Sequence, residues 1–176
     1  MRNQTGILLI NLGTPKAPTP RALRAYLREF LSDPRVVEQP RWLWLPILHG
    51  IILNLRPRRS AAAYRRIWRK EGSPLLLTAQ QQRERLAAAL REHDCAVAIA
   101  MRYGEPSLAA GLAELRAQGC TRVIALPLYP QYSATTTAST FDALSAALAR
   151  WRDIPDLVFI SRYYDHPAYI EALATR

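Results

Sequence analysis

The sequence predicts an α/β fold in which a four-stranded parallel sheet carries helices on both faces. Gly6–Leu12 is apolar almost throughout instead of alternating, which is typical of a strand buried on both faces. From residue 96 onward, apolar strands alternate with helical patterns, and this order indicates βαβ units with right-handed crossovers. The chain has 176 residues, enough for one domain with its own core.

The first strand is followed by a helix, which we predict at Arg21–Leu31. Apolar side chains such as Leu23 and Leu27 recur there at helical spacing. Thr19-Pro20 supplies an N-cap and a proline at the first helical position, and Asp33-Pro34 ends the helix.

The middle of the chain contains its most hydrophobic stretch, Trp42–Leu55. This stretch is too short to span a bilayer and is interrupted by Pro46 and Gly50. Two helices follow. One is predicted at Ser60–Lys70, and the other, with a Gln/Arg face and a Leu/Ala face, at Thr78–His93.

The rest of the chain alternates regularly between short β-branched or apolar runs and helical patterns. The predicted strands are Ala96–Met101, Arg122–Leu128 and Leu157–Ile160. The predicted helices are Ser107–Ala117, Ser139–Trp151 and Pro167–Ala174.

The chain is strongly basic, with 24 basic and 14 acidic residues and a net charge of +10. Lys16 and Lys70 are its only lysines, so arginine supplies almost all of the positive charge. This bias agrees with a codon preference, and equally with an anionic small molecule, an anionic membrane surface or nucleic acid as partner. We expect no nucleic-acid partner, because the basic residues are spread along the chain and no nucleic-acid-binding motif is present.

The cysteines and histidines do not form a metal-binding pattern. Cys95 and Cys120 stand far apart, which argues against a zinc site or a disulfide framework and fits a reducing, cytoplasmic location. His49, His93 and His166 lack the spacing of metal ligands. We therefore expect no metal-ligating residues and no covalently bound cofactor.

In open α/β sheets, ligands bind beyond the carboxyl ends of the strands. Gly13–Pro15 follows the first strand but lacks the spaced glycines of a dinucleotide site. Arg102-Tyr103 follows the second strand, where it is either an anion-binding pair or a surface arginine beside a core tyrosine. Leu126–Thr140 (LPLYPQYSATTTAST) leads from the third strand into a row of hydroxyls. These suit the lining of an amphipathic cavity, and we expect Ser139 or Thr140 to cap the next helix.

Five segments together resemble the ferrochelatase family, whose members insert ferrous iron into a porphyrin. They occur in family order and are LLINLGTP (Leu8–Pro15), YRRIW…GSPL (Tyr64–Leu75), MRYGEPS (Met101–Ser107), LPLYPQYSATTTAST (Leu126–Thr140) and DHPAYIEA (Asp165–Ala172). The resemblance implies a Rossmann-like, chelatase-like domain over residues 1–176. The family has two such domains, and the C-terminal one has no counterpart in this sequence.

The resemblance also implies a set of porphyrin-binding residues. Leu12 corresponds to a side chain against the face of the macrocycle, and it can only pack there. Arg56, Tyr64 and Ser73 correspond to groups near the porphyrin propionates, although Arg58 or Arg59 could take the role of Arg56. The remaining correspondences are Arg102, Tyr103, Tyr129 and Ser133.

The resemblance implies that this chain holds the porphyrin but carries no catalytic residue. The family's metal-inserting histidine and its acidic partner correspond to positions after the last residue of this sequence. We therefore expect a ferrochelatase (a lyase of heme biosynthesis) in which this part grips the porphyrin and is inactive alone. A non-catalytic porphyrin- or heme-binding module is the alternative. A small cobalt- or sirohydrochlorin-type chelatase would need a histidine near the first strand, and none is there.

Residues 36–59 correspond to the hydrophobic lip over the family's porphyrin cleft. In some members this lip meets a membrane. Here the apolar stretch Trp42–Leu55 is flanked by Arg41 and by Arg56, Arg58 and Arg59, which suits an interface with anionic lipid or an apolar substrate. We therefore expect a cytoplasmic protein with a peripheral membrane contact through Trp42–Leu55. Two buried helices are the alternative.

Overall fold

The computed structural model describes residues 4–175 and confirms the α/β architecture. The strands are β1 (Gln4–Thr14), β2 (Cys95–Gly104), β3 (Cys120–Pro127) and β4 (Asp156–Phe159). The α-helices are α1 (Pro20–Leu31), α2 (Arg41–Ile47), α3 (Leu53–Ile67), α4 (Pro74–Ala89), α5 (Leu108–Ala117), α6 (Ser139–Leu148) and α7 (Pro167–Ala174). Leu48–Ile52 and Ala134–Ala138 form π-helical turns, and Arg91–His93 forms a 3₁₀ turn.

The four strands form one parallel sheet in the order β2-β1-β3-β4. The central strand β1 pairs with β2 as far as Thr14 and Gly104. It pairs with β3 as far as Ile10 and Pro127. The carboxyl ends of these three strands therefore meet at one edge, where the candidate segments lie.

Alternate side chains of the sheet pack against helices on opposite faces, as the continuous apolar strands predict. Leu8 and Ile10 of β1 join a buried cluster with residues of α5 and α6, including Leu112 and Leu144. Leu9 points to the other face, where the cluster includes side chains of α4. Because both faces are covered near β1, this strand needs apolar residues at consecutive positions.

The predicted boundaries of two helices are wrong by a turn or more. The helix predicted at Ser60–Lys70 is the second half of α3, which begins at Leu53. The helix predicted at Thr78–His93 begins at Pro74, because an extended Ser73 precedes a proline at the first helical position. It ends at Ala89, before the short 3₁₀ turn.

The prediction that Ser139 or Thr140 caps α6 is also wrong. The π-helical turn Ala134–Ala138 runs directly into α6. The residue before α6, Ala138, is therefore helical, and no side chain caps α6. Ser133 precedes this turn in an extended conformation, and its carbonyl accepts hydrogen bonds from the turn. The Ser139 side chain, released from capping, donates instead to Asp33.

The hydrophobic stretch Trp42–Leu55 forms α2, a π-helical turn and the start of α3. Its inward side is fixed on α1, where Leu48 and Leu53 are buried in a cluster with α1 side chains. The Trp44 indole N–H donates to the carbonyl of Leu31 over 2.7 Å. The stretch is therefore a bent helical layer with one buried side and one exposed side.

Candidate functional site

A buried carboxylate, Asp33, joins three segments of the chain. It lies just after α1 and accepts hydrogen bonds from Nη2 of Arg102 and from the hydroxyls of Tyr103, at 2.8 Å, and Ser139. Its second oxygen accepts from the backbone N–H of Arg35 over 2.7 Å. Four donors thus satisfy a carboxylate that is 5% exposed, and they tie α1, the end of β2 and the start of α6 together.

The guanidinium of Arg102 is held on three sides. Nε donates to the carbonyl and hydroxyl oxygens of Ser139, at 2.9 and 2.7 Å. Nη2 pairs with Asp33, and the guanidinium carbon lies 4.4 Å from the centre of the Tyr103 ring. Nη1 makes no hydrogen bond to residues 4–175 in the structure, so it remains as a donor for a ligand.

The ionisation of this network follows from its contacts. Burial by itself raises the pKa of Asp33. The hydrogen bonds from Ser139, Tyr103 and the N–H of Arg35, with the charge of Arg102, outweigh burial and lower it. Burial raises the pKa of the Tyr103 hydroxyl well above its usual value. At neutral pH, Asp33 is therefore an acceptor and Tyr103 a donor.

Two buried tyrosines, Tyr26 of α1 and Tyr103 of β2, lie near the ends of β1 and β2. The Tyr26 hydroxyl donates to the carbonyl of Gly13 over 3.3 Å. Burial raises the pKa of Tyr26 strongly, and Tyr64, Tyr103 and Tyr129 add to this rise electrostatically. The Phe30 ring links two of them, because it stacks on Tyr26 with centroids 6.1 Å apart and meets the Tyr103 ring edge-on at 5.1 Å. Tyr64, Tyr103 and Tyr129 are predicted porphyrin-binding residues.

Two buried hydroxyls, Tyr129 shortly after β3 and Thr140 in the first turn of α6, have no hydrogen-bond partner among the described residues. Neither Tyr129 nor Thr140 makes a hydrogen bond of normal geometry to residues 4–175. Burial raises the pKa of Tyr129 to about 12, and the neighbouring Thr140 hydroxyl and Arg102 act against this rise. An unsatisfied buried hydroxyl is costly, so this pair marks a place where water or a ligand atom would be stabilised.

The other predicted site residues are spread around this centre. The buried Ser73 hydroxyl hydrogen-bonds the Thr14 hydroxyl at 2.8 Å. Leu12 and Ser133 are half-buried, and Arg56 is exposed on α3 without a hydrogen bond to the described residues. The structure thus brings the Arg-Tyr pair, Tyr129 and Ser73 to one sheet edge and leaves Arg56 and Tyr64 on α3. Their assignment to porphyrin binding stays a prediction, and Tyr103, fully buried, would need the Asp33 network to open.

A cavity of about 1160 Å³ opens beside Asp33. Its walls include the loop after β1, α1, the loop after β2 and α6, and Arg102 is the one predicted site residue among its lining. Small side chains on α1 and α6, such as Ala25 and Ala146, leave the space free. Ligand cavities commonly measure about 300 to 1,000 Å³, so this one suits a large ligand.

The sequence pattern does not mark Asp33 or Tyr26 as site residues. Asp33 stands before Pro34 as a helix terminator in the sequence, yet a carboxylate at a helix C-terminus opposes the helix dipole. This unfavourable position indicates a cationic partner from elsewhere, which is Arg102. Tyr26 lies among the apolar residues on the buried side of α1, so its position in the sequence is that of a core residue. No cluster of three or more His, Cys, Asp or Glu that could hold a metal ion lies within residues 4–175.

The chain is similar to known proteins over almost its whole length. The model of the ferrochelatase family matches residues 4–176. The chain belongs to the ferrochelatase family. It is 60% identical over 171 residues to the ferrochelatase of Methylococcus capsulatus, with 97% of this chain and 52% of the relative covered. It is 58% identical over 174 residues to that of Polaromonas sp., covering 98% of this chain and 47% of the relative.

The ferrochelatase of Azoarcus sp. is 56% identical over 172 residues, covering 97% of this chain and 47% of that protein. The chain therefore spans about half the length of the curated relatives that it matches. The residues that the family model matches, 4–176, include the whole sheet, Asp33 and all eight predicted porphyrin-binding residues.

Proposed function

We propose that this chain forms the porphyrin-binding wall of a ferrochelatase and does not metallate porphyrin by itself. The main support is Arg102, which lines the large cavity with Nη1 free while its other nitrogens are fixed. A fixed guanidinium beside an apolar and aromatic surface suits a flat macrocycle that carries carboxylates. The family match supports ferrous iron and a porphyrin, such as protoporphyrin IX, as the substrates.

The reaction explains why a wall of this kind is needed. Inserting iron requires the loss of two pyrrole protons, and it is easier when the macrocycle is distorted from planarity. This chain would contribute grip: Arg102 would hold a carboxylate, and Ala25, Tyr26 and Leu45, which line the same cavity, would pack against the ring. The tyrosines cannot serve as bases at neutral pH, because burial raises the pKa values of Tyr26, Tyr103 and Tyr129.

An absorption titration tests this proposal. We expect the chain to shift the porphyrin Soret band, and we expect added ferrous iron, without oxygen, to leave the spectrum of the metal-free complex unchanged. Appearance of the metalloporphyrin spectrum would overturn the inactive-wall proposal, and replacing His49, which lines the cavity, would then be the first test for the base. An unchanged Soret band on adding porphyrin would overturn porphyrin binding itself.

The alternative is a non-catalytic porphyrin- or heme-binding module. Such a module would need only the large cavity and the fixed Arg102, both of which the described residues supply. A heme-binding module would bind iron-protoporphyrin at least as tightly as the metal-free ring. A ferrochelatase wall releases the metallated product, so we expect the metal-free porphyrin to bind more tightly in the same titration.

We also propose that the helical layer contacts a membrane surface that contains anionic lipid. Its exposed apolar patch consists of Trp42 (79% exposed), Leu43, Ile51 and Leu55. Exposed arginines of α2 and α3 lie close to it in sequence, which suits an amphipathic layer on a charged interface. Within the described residues, no helix has both the length and the hydropathy needed to cross a bilayer.

Vesicle sedimentation tests this contact. We expect the chain to pellet with vesicles of phosphatidylglycerol and phosphatidylcholine, and less with phosphatidylcholine alone. Trp42→Glu combined with Leu55→Glu should reduce the bound fraction at least about fivefold, since both apolar burial and charge attraction weaken. Ile154→Glu combined with Leu173→Glu is the matched control, because it adds the same charge and both side chains, 59% and 54% exposed, lie outside the patch. Equal losses for patch and control variants would contradict the proposal.

A further inference from the structure

We propose that Asp33 is a positioning residue that holds the Arg102 guanidinium ready for a carboxylate of the ligand. The inference rests on the proposed porphyrin-binding function and names a residue and a subsite for it. Asp33 itself is 5% exposed at its side chain, and four donors already occupy it. It therefore acts through Arg102 and not by touching the ligand.

The geometry explains why Arg102 needs such a partner. An arginine at the end of a strand has several rotatable bonds, and fixing them on binding costs affinity. Here Asp33 holds Nη2, Ser139 holds Nε, and the Tyr103 ring lies against the guanidinium plane. The orientation of Nη1 is thus set before a ligand arrives.

The other carboxylates around the cavity do not occupy Nη1 of Arg102. Three further carboxylates line the same space, and each already has a partner. Glu29 accepts from the N–H of Gly104 over 3.0 Å, and Glu105 accepts from the N–H of Ser107 over 3.0 Å. Asp142 pairs with Arg35 at 2.8 Å.

Basic groups also line this cavity, including Lys16 and Arg41. An incoming carboxylate therefore meets acids that are already engaged, together with cationic groups. Nη1 of Arg102 is a donor at this edge that is held in place and has no acceptor among residues 4–175. Under the proposed porphyrin-binding function, the group that Nη1 would bind is a carboxylate carried by a large apolar ring.

The experiment compares two probes, mesoporphyrin IX and its dimethyl ester, in the same detergent buffer. The ester keeps the ring and removes the negative charge. Asp33→Asn should weaken binding of the dicarboxylate by about ten- to a hundredfold, the range expected for a charged hydrogen bond. It should change binding of the ester less than about threefold. Glu114→Gln, which removes the carboxylate of the exposed Arg83–Glu114 pair, is the matched control and should change neither.

A double-mutant cycle adds a readout that a merely structural role would not move. Asp33→Asn in an Arg102→Gln background should cause no further loss for the dicarboxylate, since Asp33 acts through Arg102. If Asp33→Asn does not fold by circular dichroism, Ser139→Ala takes its place. This substitution loosens Arg102 without leaving a charge unpaired, and it should weaken the dicarboxylate severalfold.

The outcomes separate this inference from the proposed function. Equal weakening of both probes, or a full additional loss in the Arg102→Gln background, overturns the role of Asp33 while porphyrin binding stands. Failure of the unsubstituted chain to bind either probe overturns the proposed function and the role of Asp33 with it. Selective loss of the dicarboxylate supports both.

Discussion

Gly13→Ala is expected to unfold the protein or to cost at least about 4 kcal/mol of its free energy of unfolding. A β-carbon at Gly13 would lie 1.8 Å from the carbonyl oxygen of Tyr103 and 2.8 Å from its carbonyl carbon. Both atoms belong to the neighbouring strand, which pairs with Gly13 in register, so they cannot move aside without breaking the sheet. The φ angle of +110° adds strain for any L-residue.

Urea unfolding followed by circular dichroism measures this effect, and two other glycines are its controls. Gly72 has a φ of +134° but open space around a β-carbon, so Gly72→Ala should cost only about 1 to 3 kcal/mol of backbone strain. Gly50 lies in a helical turn with nothing near a β-carbon, so Gly50→Ala should be neutral or stabilising. The close-approach argument fails if Gly13→Ala is no more destabilising than Gly72→Ala.

Asp33→Ala is expected to lower the free energy of unfolding by about 3 kcal/mol at pH 7. The substitution leaves Arg102, with a side chain only 16% exposed, without its counter-charge. It also leaves the hydroxyls of Tyr103 and Ser139 without the acceptor that both use. Asp142→Ala removes an exposed carboxylate that pairs with Arg35 and should cost less than about 1 kcal/mol.

The pH dependence of this loss tests its electrostatic origin. The pKa of Asp33 is lowered by folding, so its contribution is present above the unfolded value of about 3.8 and is lost as pH falls through the lower, folded value. The stability difference between the unsubstituted chain and Asp33→Asn should therefore be constant from pH 5 to 7. It should shrink once the pH falls below about 3.8. A difference that stays the same down to pH 2.5 would show that packing, not charge, is responsible.

Most of the fold could be predicted from local patterns in the sequence. Gly6–Leu12 is long, apolar and bounded by a glycine-proline turn, so its burial between two helical layers was predictable. The strand-helix alternation after residue 95 was equally clear, and Pro167–Ala174 has the predicted bounds. The row of hydroxyls in Leu126–Thr140 was less informative, because a π-helical turn and a standard cap look alike in sequence.

What the sequence by itself determined is the parallel sheet, its loops at one edge and the motifs of the ferrochelatase family, since these depend on residues close together in the chain. The tertiary structure decided which of the strand-end residues work together. Asp33 and Ser139 are separated by 106 positions, yet their side chains share a hydrogen bond beside Arg102. No periodicity or propensity reports such a contact, because it forms only when α1, β2 and α6 pack and a buried carboxylate must find donors for its charge.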